Sequence, residues 1–323
     1  MNHSELLARF QGMNALVVGD LMLDEYIFGR ATRISPEAPV MVVRQQQTKN
    51  LPGGAANVAR NLIALGANVS MVGVLGCDRS GETLETSLRD QGIQTAGIVQ
   101  EPSRITTRKT RVVADHSHQV LRIDHEDEGP ISSATESKLV EQAENHLSKC
   151  DVVVLSDYLK GAVSPKLCEH VIASANAKGI PVVANPKPRT LSHYKGATLV
   201  SLNRLEASEA LGRWQGLEDG DALQAAQALK VSIGVKNVLI TLGEAGMAVF
   251  GVGSLTVPAP RVEVYDTAGA GDTVVATVAL GIAASDFSEQ IFTLAALTAA
   301  CVVRRVGVAT PSKADLAEIA AAH

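Results

Sequence analysis

The chain has 323 residues, of which 46% are hydrophobic and only 3% aromatic, so its core must come mainly from Val, Ile, Leu and Ala. Its net charge of −5 provides no general attraction to nucleic acid or to an anionic membrane, and we expect neither as a partner. The four cysteines form no CxxC pair, which favours a reduced, cytoplasmic protein over a disulfide or zinc framework. The N-terminal segment also lacks the basic segment and apolar run of a secretory signal.

The first strong strand signal lies at residues 15–18 and ends at Asp20. A parallel sheet collects functional groups at the carboxyl ends of its strands, so Asp20 is a candidate site residue. The next regular element is a helix that opens at Gly53 and Gly54 and carries an apolar stripe.

The rest of the chain repeats this alternation. Strands are predicted at residues 69–75, 152–155, 181–184, 199–202 and 238–241, and helices at about 80–91, 166–177, 222–232, 273–285, 291–303 and 312–323. The pattern predicts an α/β fold with a doubly wound, mostly parallel sheet flanked by helices, formed by residues 1–323 as a single domain.

Two segments interrupt the alternation, at about residues 26–46 and 105–124. Both interleave β-branched and polar residues, which favours extended ribbons outside the main sheet. We expect them to form a small β-sheet lid that excludes water from a bound substrate. Because a small sheet has unpaired edges and little core, we also predict a homodimer in which two lids cover each other.

The sharpest motif is DTAGAGDT at residues 266–273, directly before an apolar helix. Small residues let the backbone approach a ligand, and the N–H groups that open a helix form an anion site. Asp272 in this place suits a general base that accepts a hydroxyl proton during phosphoryl transfer. Aspartate is also a common helix N-cap, and the residues alone leave the two interpretations evenly matched.

Together with GGAAN at residues 53–57, this motif resembles the two signatures of the ribokinase, or phosphofructokinase-B, family of carbohydrate kinases. The resemblance implies a ribokinase-like fold, ATP as phosphoryl donor and Asp272 as the base. It further implies that Gly269, Ala270 and Gly271 form the anion hole.

The first signature has a physical rationale of its own. Gly53 and Gly54 can adopt positive φ and let a sugar ring press against the backbone, while the amide of Asn57 can bind hydroxyls. Without the resemblance, a glycine-rich helix start with a solvated Asn is the simpler interpretation. With it, sugar contact is favoured.

Two later motifs point to the nucleotide. Asn203 and Glu206 resemble the family's Asn-x-x-Glu motif, which implies that Glu206 is a Mg2+ ligand, although it could be an ordinary first-turn helix acid. Thr241, Gly243 and Gly246 resemble the family loop beneath the nucleotide phosphates; alone, they indicate only a hairpin turn.

Within the family, residues 17–40, 52–67 and 155–161 resemble the heptose 7-phosphate kinases of bacterial lipopolysaccharide synthesis. This implies transfer to the anomeric hydroxyl of a heptose 7-phosphate, with Asp20 and Asp24 near the sugar. A substrate phosphate requires cations, and the sequence offers several without choosing among them: Lys109, Arg111, Arg104, Lys187 and Arg189.

Lys187 lies in an Asn-Pro-Lys-Pro run like that of ribokinase, where a cation can also stabilise the transferring phosphate, although a solvated loop is its commoner role. Two alternatives remain open. One is a kinase of the same class for ribose, adenosine or fructose 1-phosphate. The other is a non-catalytic nucleotide-binding protein that retains the fold.

Overall fold

The computed structural model describes residues 2–115, 118–127, 129–213 and 216–321. Residues 116 and 117 of the predicted lid and the last two residues of the predicted final helix therefore lie outside the described residues. The strands within these ranges are β1 (Asn14–Gly19), β2 (Leu21–Ile34), β3 (Met41–Gly54), β4 (Asn68–Gly76), β5 (Gln94–Glu101), β6 (Thr107–Ala114), β7 (His118–His125), β8 (Val152–Ser156), β9 (Val182–Asn185), β10 (Leu199–Asn203), β11 (Asn237–Thr241), β12 (Met247–Gly251) and β13 (Gly253–Val257).

The α-helices of the described ranges alternate with most of these strands. They are α1 (His3–Phe10), α2 (Ala55–Ala64), α3 (Arg79–Asp90), α4 (Ser133–Leu147), α5 (Pro165–Ala177), α6 (Arg204–Ala210), α7 (Ala222–Ile233), α8 (Ala270–Ala284), α9 (Glu289–Val302) and α10 (Lys313–Ala321). None of them is both long enough and apolar enough to span a membrane.

The main sheet has the order β13-β12-β11-β10-β9-β8-β1-β4-β5. The strands from β11 to β5 pair in parallel, whereas β12 and β13 add an antiparallel edge. Every residue of β8, Val-Val-Val-Leu-Ser, is buried, as expected for a parallel strand that is covered on both faces. The predicted doubly wound sheet is confirmed.

Alternate residues of β1 serve two different cores. Val17 packs in the apolar cluster that includes residues of α1, α2, α8 and α9. Leu16 and Val18 pack on the other face, with residues of α4, α5 and α7. Since successive side chains of a strand point to opposite faces, one short Val-rich strand joins both helical layers to the sheet.

The predicted lid is a second sheet of four strands in the order β3-β2-β6-β7. The β2–β6 pairing is parallel, and the other two are antiparallel. Its first ribbon is longer than predicted, because β2 begins at Leu21 and β3 continues to Gly54, with those two residues paired. The first residues of this ribbon are apolar and are buried in the main core. The sequence pattern therefore did not show where the ribbon begins.

Candidate active site

The candidate site lies where the carboxyl ends of the parallel strands face the first turn of α8. Gly269 is the N-cap of this helix and has a φ of +82°, which favours glycine. A Cβ on Gly269 would also lie 2.9 Å from Asn57 Nδ2. The small residues of the motif therefore allow α2 and α8 to approach closely, and they bring Asp272 next to Asn57.

Asp272 is buried and accepts two hydrogen bonds. Asn57 Nδ2 donates to its Oδ2 at 2.8 Å, and the hydroxyl of Tyr158 donates to its Oδ1 at 2.7 Å. Burial raises the pKa of Asp272 to about 6, while these two hydrogen bonds oppose the rise. A carboxylate whose pKa lies this close to neutrality is suited to accept a proton and to release it again.

The start of α8 provides donors for an anion. Ala270 N–H donates to the carbonyl of Thr267 at 3.2 Å, whereas an α-helix leaves its other first-turn amides, here those of Gly271 and Asp272, without intrahelical acceptors. The macrodipole adds positive potential at the same place. The Asp266 carboxylate accepts from Ala268 N–H at 2.9 Å and from Gly307 N–H at 2.8 Å, which fixes the loop before the helix.

Beside Asp272 lies a polar cavity of about 140 Å³. Lys187 Nζ is 2.6 Å from Glu206 Oε1 and 4.9 Å from the centre of the Tyr158 ring. The side chains of Asn203 and Glu206 each accept the backbone N–H of the other at 2.8 Å. Glu206 is thus a capping-box acid of α6 and also lines the cavity. Its interpretation as a first-turn helix acid is therefore compatible with its interpretation as a Mg2+ ligand.

A larger, mostly apolar cleft of about 550 Å³ adjoins this cavity, since Thr241 and Gly271 line both. The hairpin between β11 and β12 contributes Gly243 and Gly246 to its wall. The segment predicted as a phosphate loop is therefore a hairpin connection, and its contact with phosphate stays a prediction. Helix α9 contributes small residues to the same cleft, among them Ala296.

The lid brings further predicted residues together. Asp24 is 4% exposed, and its Oδ1 accepts from Arg111 Nη1 at 2.5 Å. The guanidinium of Arg111 lies 5.3 Å from the centre of the Tyr26 ring. Gly53 abuts the Asp24 carboxylate so closely that a Cβ there would collide with it. Two further residues of the predicted sugar site, Gly53 and Arg111, thus both contact Asp24.

Lys109 and Arg104 also pair with protein groups, as Arg111 and Lys187 do. Lys109 Nζ lies 3.3 Å from Asp124 and 3.4 Å from Glu126. Arg104 donates to the carbonyls of Gly129 and Asp127, each at 3.1 Å. Arg104 therefore stabilises loops, whereas Lys109 lies in a cluster of charges on the lid.

Asp20 has a different setting from the one that its position after β1 indicates. It is 1% exposed, and its carboxylate accepts the backbone N–H groups of Tyr158 at 2.7 Å and of Lys160 and Ala162 at 3.0 Å each. Burial raises its pKa, while these amides oppose the rise. Asp20 anchors the loop after β8, and its contact with substrate stays a prediction.

Sequence reasoning gave no role to Tyr158, although it contacts Asp272 directly. The available signal was its position in Ser-Asp-Tyr, where polar residues follow the buried strand β8. In the described part of the chain, no group of three or more His, Cys, Asp or Glu side chains could hold a metal by itself.

Comparison with known proteins identifies relatives of this chain. The bifunctional protein HldE of Trichlorobacter lovleyi is 43% identical over 314 residues, which cover 96% of this chain and 63% of that protein. HldE of Geobacter metallireducens is 41% identical over 318 residues, or 98% and 64% of the two chains. The chain thus spans just under two thirds of the length of these relatives.

Solved structures share the fold at lower identity. Phosphofructokinase-2 from Escherichia coli, in complex with substrates and products, has a TM-score of 0.81 and 24% identity, with 96% of this chain and 99% of that chain covered. Ribokinase of Arabidopsis thaliana, complexed with ribose and ATP, has a TM-score of 0.74 and 20% identity, with the same coverage. Residues 14–315 of this chain match the pfkB family of carbohydrate kinases, and the chain belongs to this family.

Proposed function

We propose that this chain transfers the terminal phosphoryl group of ATP to the anomeric hydroxyl of D-glycero-D-manno-heptose 7-phosphate, giving the 1,7-bisphosphate for ADP-heptose and lipopolysaccharide core synthesis. The observation that carries the proposal is the setting of Asp272. Its carboxylate lines the same cavity as Lys187 and Glu206. The charge of Asp24, on the lid, raises the pKa of Asp272. The heptose is favoured by the matching stretches of sequence and by the HldE relatives.

In this proposal Asp272 accepts the proton of the attacking hydroxyl while the hydroxyl oxygen bonds to phosphorus and the bond to ADP breaks. Amides of the Gly269-Ala270-Gly271 turn hold the phosphoryl oxygens, and Lys187 adds positive charge beside them. Such preorganised donors stabilise the transition state because they need no reorientation as charge develops.

The sugar would lie between the lid and the start of α2. Gly53 and Gly54 allow it to approach the backbone, while Asp24 and Asn57 supply polar groups. The substrate phosphate needs cations, and the lid offers two at partly buried positions, Lys109 and Arg111, each with a side-chain exposure of 17%.

The nucleotide would extend from the small cavity into the apolar cleft, with Thr241, Gly243 and Gly246 along the phosphates. Glu206 would hold Mg2+ together with phosphate oxygens, and Asn203 would fix the Glu206 side chain. This donor set fits the ion, because Mg2+ is usually held by one or two carboxylates together with phosphates and water.

We also propose a homodimer through the lid. By register, Ile27, Val112, Leu121 and Ile123 share the lid face opposite to Asp24 and Arg111. Leu121 and Ile123 are each 52% exposed. A second lid would cover these apolar side chains and leave the substrate face of each protomer free.

A coupled ADP-release assay tests the acceptor. Heptose 7-phosphate should give the highest kcat/KM in a panel with unphosphorylated heptose, ribose, adenosine and fructose 1-phosphate. Unphosphorylated heptose is the matched control, since it removes only the group that the cations would bind. A preference for ribose or adenosine would overturn the heptose assignment, and no turnover with any acceptor would favour a non-catalytic nucleotide-binding protein.

A further inference from the structure

Tyr158 makes a contact that the proposed roles leave unexplained. Its hydroxyl donates to Asp272 Oδ1 at 2.7 Å, so it shares the carboxylate with Asn57, which donates to Oδ2. Burial and the charge of Asp272 raise the pKa of Tyr158 well above its usual range. The phenol therefore stays protonated at any pH of interest and remains a donor.

The backbone around Tyr158 is held by two buried carboxylates. Asp20, from the end of β1, accepts its N–H at 2.7 Å. Asp157, which is 2% exposed, accepts the N–H of Leu159 at 2.8 Å and the hydroxyls of Thr190 at 2.6 Å and Tyr194 at 3.0 Å. Hydrogen bonds to Asp20 and Asp157 thus fix the backbone at Tyr158 and at the residue that follows it.

The same loop contains an unfavourable backbone conformation. Leu159 has a φ of +58°, in the left-handed region that residues with a side chain rarely adopt. Strain of this kind persists where the surrounding structure enforces it, and it is frequent at functional sites. Here the enforcing contacts are the Asp20 and Asp157 hydrogen bonds, and their result is a fixed phenol beside Asp272.

We propose that Tyr158 is a positioning residue for phosphoryl transfer, whose hydroxyl is held against Asp272 Oδ1 so that this carboxylate stays ionised and oriented to accept the proton of the acceptor. The inference rests on the proposed role of Asp272 as the base and extends it to a residue that does not itself react. Each carboxylate oxygen keeps a second lone-pair direction beyond the one that its donor occupies, so the acceptor hydroxyl can still reach Asp272.

Other charges around Asp272 act in both directions. Asp24 of β2 raises its pKa, and Lys187, from the loop after β9, lowers it. Glu206 of α6 acts on Tyr158 and raises the pKa of the phenol. None of these groups is removed when Tyr158 is replaced by Phe, and the aromatic ring beneath Lys187 also remains. The substitution therefore isolates the hydroxyl.

The test is the pH profile of kcat/KM for Tyr158→Phe, since that profile reports ionisations of the free enzyme. A hydrogen bond to an ionised group corresponds to roughly one pKa unit. We expect the acidic midpoint to rise by about one unit, so that the variant loses roughly tenfold in rate on the acidic side. Above about pH 8, where Asp272 is ionised in both proteins, the two rates should converge.

Tyr194→Phe is the control, because it removes a buried hydroxyl from Asp157 but leaves the bond from Leu159 N–H to Asp157 and the contact of Tyr158 with Asp272 in place. Its acidic midpoint should match that of the wild type. A difference infrared titration of the Asp272 carboxylate, with Asp272→Asn as the blank, gives the same pKa without turnover, so it decides the question even for a slow variant.

The outcomes separate this inference from the proposed function. An unchanged midpoint in Tyr158→Phe, or a loss of rate that is equal at all pH values, overturns the role of Tyr158. If Asp272→Asn retains full activity, the base assignment fails, and the role of Tyr158 fails with it.

Discussion

If Asp272 is the base, as proposed, its protonation state controls the rate. Its pKa of about 6 results mainly from burial, and a base must be ionised to accept a proton. We therefore expect kcat/KM to fall as the pH drops through about 6 and to level off above it. A stopped or coupled assay between pH 5 and 8.5 measures this limb.

Asp272→Asn should keep the fold and the nucleotide affinity but lose ~10² to 10⁴-fold in turnover, the usual range for a general base. The amide cannot accept the proton, so the acidic limb should disappear as well. Calorimetric titration of nucleotide into the variant provides the control for binding. Near wild-type turnover with an unchanged pH profile would contradict the assignment.

Glu206 has two contacts, and a conservative change separates them. Glu206→Gln retains an oxygen that can accept from Asn203 N–H, so the capping box of α6 should survive. It loses the charge that faces Lys187. We expect the Mg2+ concentration for half-maximal rate to rise ~10- to 100-fold, with little change in KM for the sugar.

The control is Glu209→Gln, which removes the charge of an exposed acid on the same helix. Both variants are compared in a magnesium titration. Identical metal dependence in wild type and Glu206→Gln would reduce Glu206 to a helix-opening acid.

Sequence motifs predicted the residues that are close along the chain or belong to a signature, such as Asn203 with Glu206. They could not predict the contact of Tyr158 with Asp272, because the two residues are 114 positions apart. Only the order of β8 and α8 in the fold brings them together. The anchoring role of Asp20 was missed for the same reason, since its partners follow a different strand.

At the scale of elements, the junction of β3 and α2 depends on Gly54. Its φ of +58° and ψ of −134° are open to glycine alone, and a Cβ would lie 2.7 Å from the carbonyl oxygen of Asp20. Gly54→Ala should lower the free energy of unfolding by about 1–3 kcal/mol, measured by chemical denaturation.

Gly92→Ala is the control for positive φ without crowding, because Gly92 has a φ of +81° and no atom lies within 4 Å of the place that its Cβ would take. It should cost roughly 1 kcal/mol. An equal or smaller loss at Gly54 would show that the close approach to Asp20 is unimportant.

The proposed lid dimer leads to a prediction about β7. Ile123→Asp places a charge on the exposed apolar face and should raise the dimer dissociation constant at least about tenfold, or ~1.4 kcal/mol. Val231→Asp, at a 77% exposed valine of α7, introduces the same charge away from the lid and should leave the dimer intact. Sedimentation velocity over a wide range of concentration measures both.

A wild-type protein that sediments as a clean monomer and still phosphorylates its sugar at full rate would contradict the dimer and leave the kinase proposal standing.

The periodicity of hydrophobic residues predicted most strands and helices, because buried Val-rich strands and amphipathic helices have strong patterns. It failed at the root of the lid. Residues 21–23 are apolar and 3% exposed each, so they look like core, and their pairing with β3 depends on a partner about 30 residues away. The antiparallel edge of β12 and β13 was also missed, since its short strands lack a distinctive alternation.

For the whole molecule, the βαβ alternation and the two signatures were enough to predict the α/β fold. They also predicted that the candidate site lies at the carboxyl ends of the parallel strands. The proposed acceptor site lies between the lid and the start of α2, where the candidate cations pair with acids, as Lys109 does with Asp124 of β7 and with Glu126. Sequence reasoning could name those cations but could not choose among them.

Phosphorus NMR of the reaction product tests the central claim most directly. With ATP, Mg2+ and heptose 7-phosphate, we predict a new phosphate ester signal that couples to the anomeric proton and grows in equal amount with ADP, while the signal of the 7-phosphate remains. A product phosphorylated at another hydroxyl, or ADP formed without any new sugar phosphate, would contradict the account.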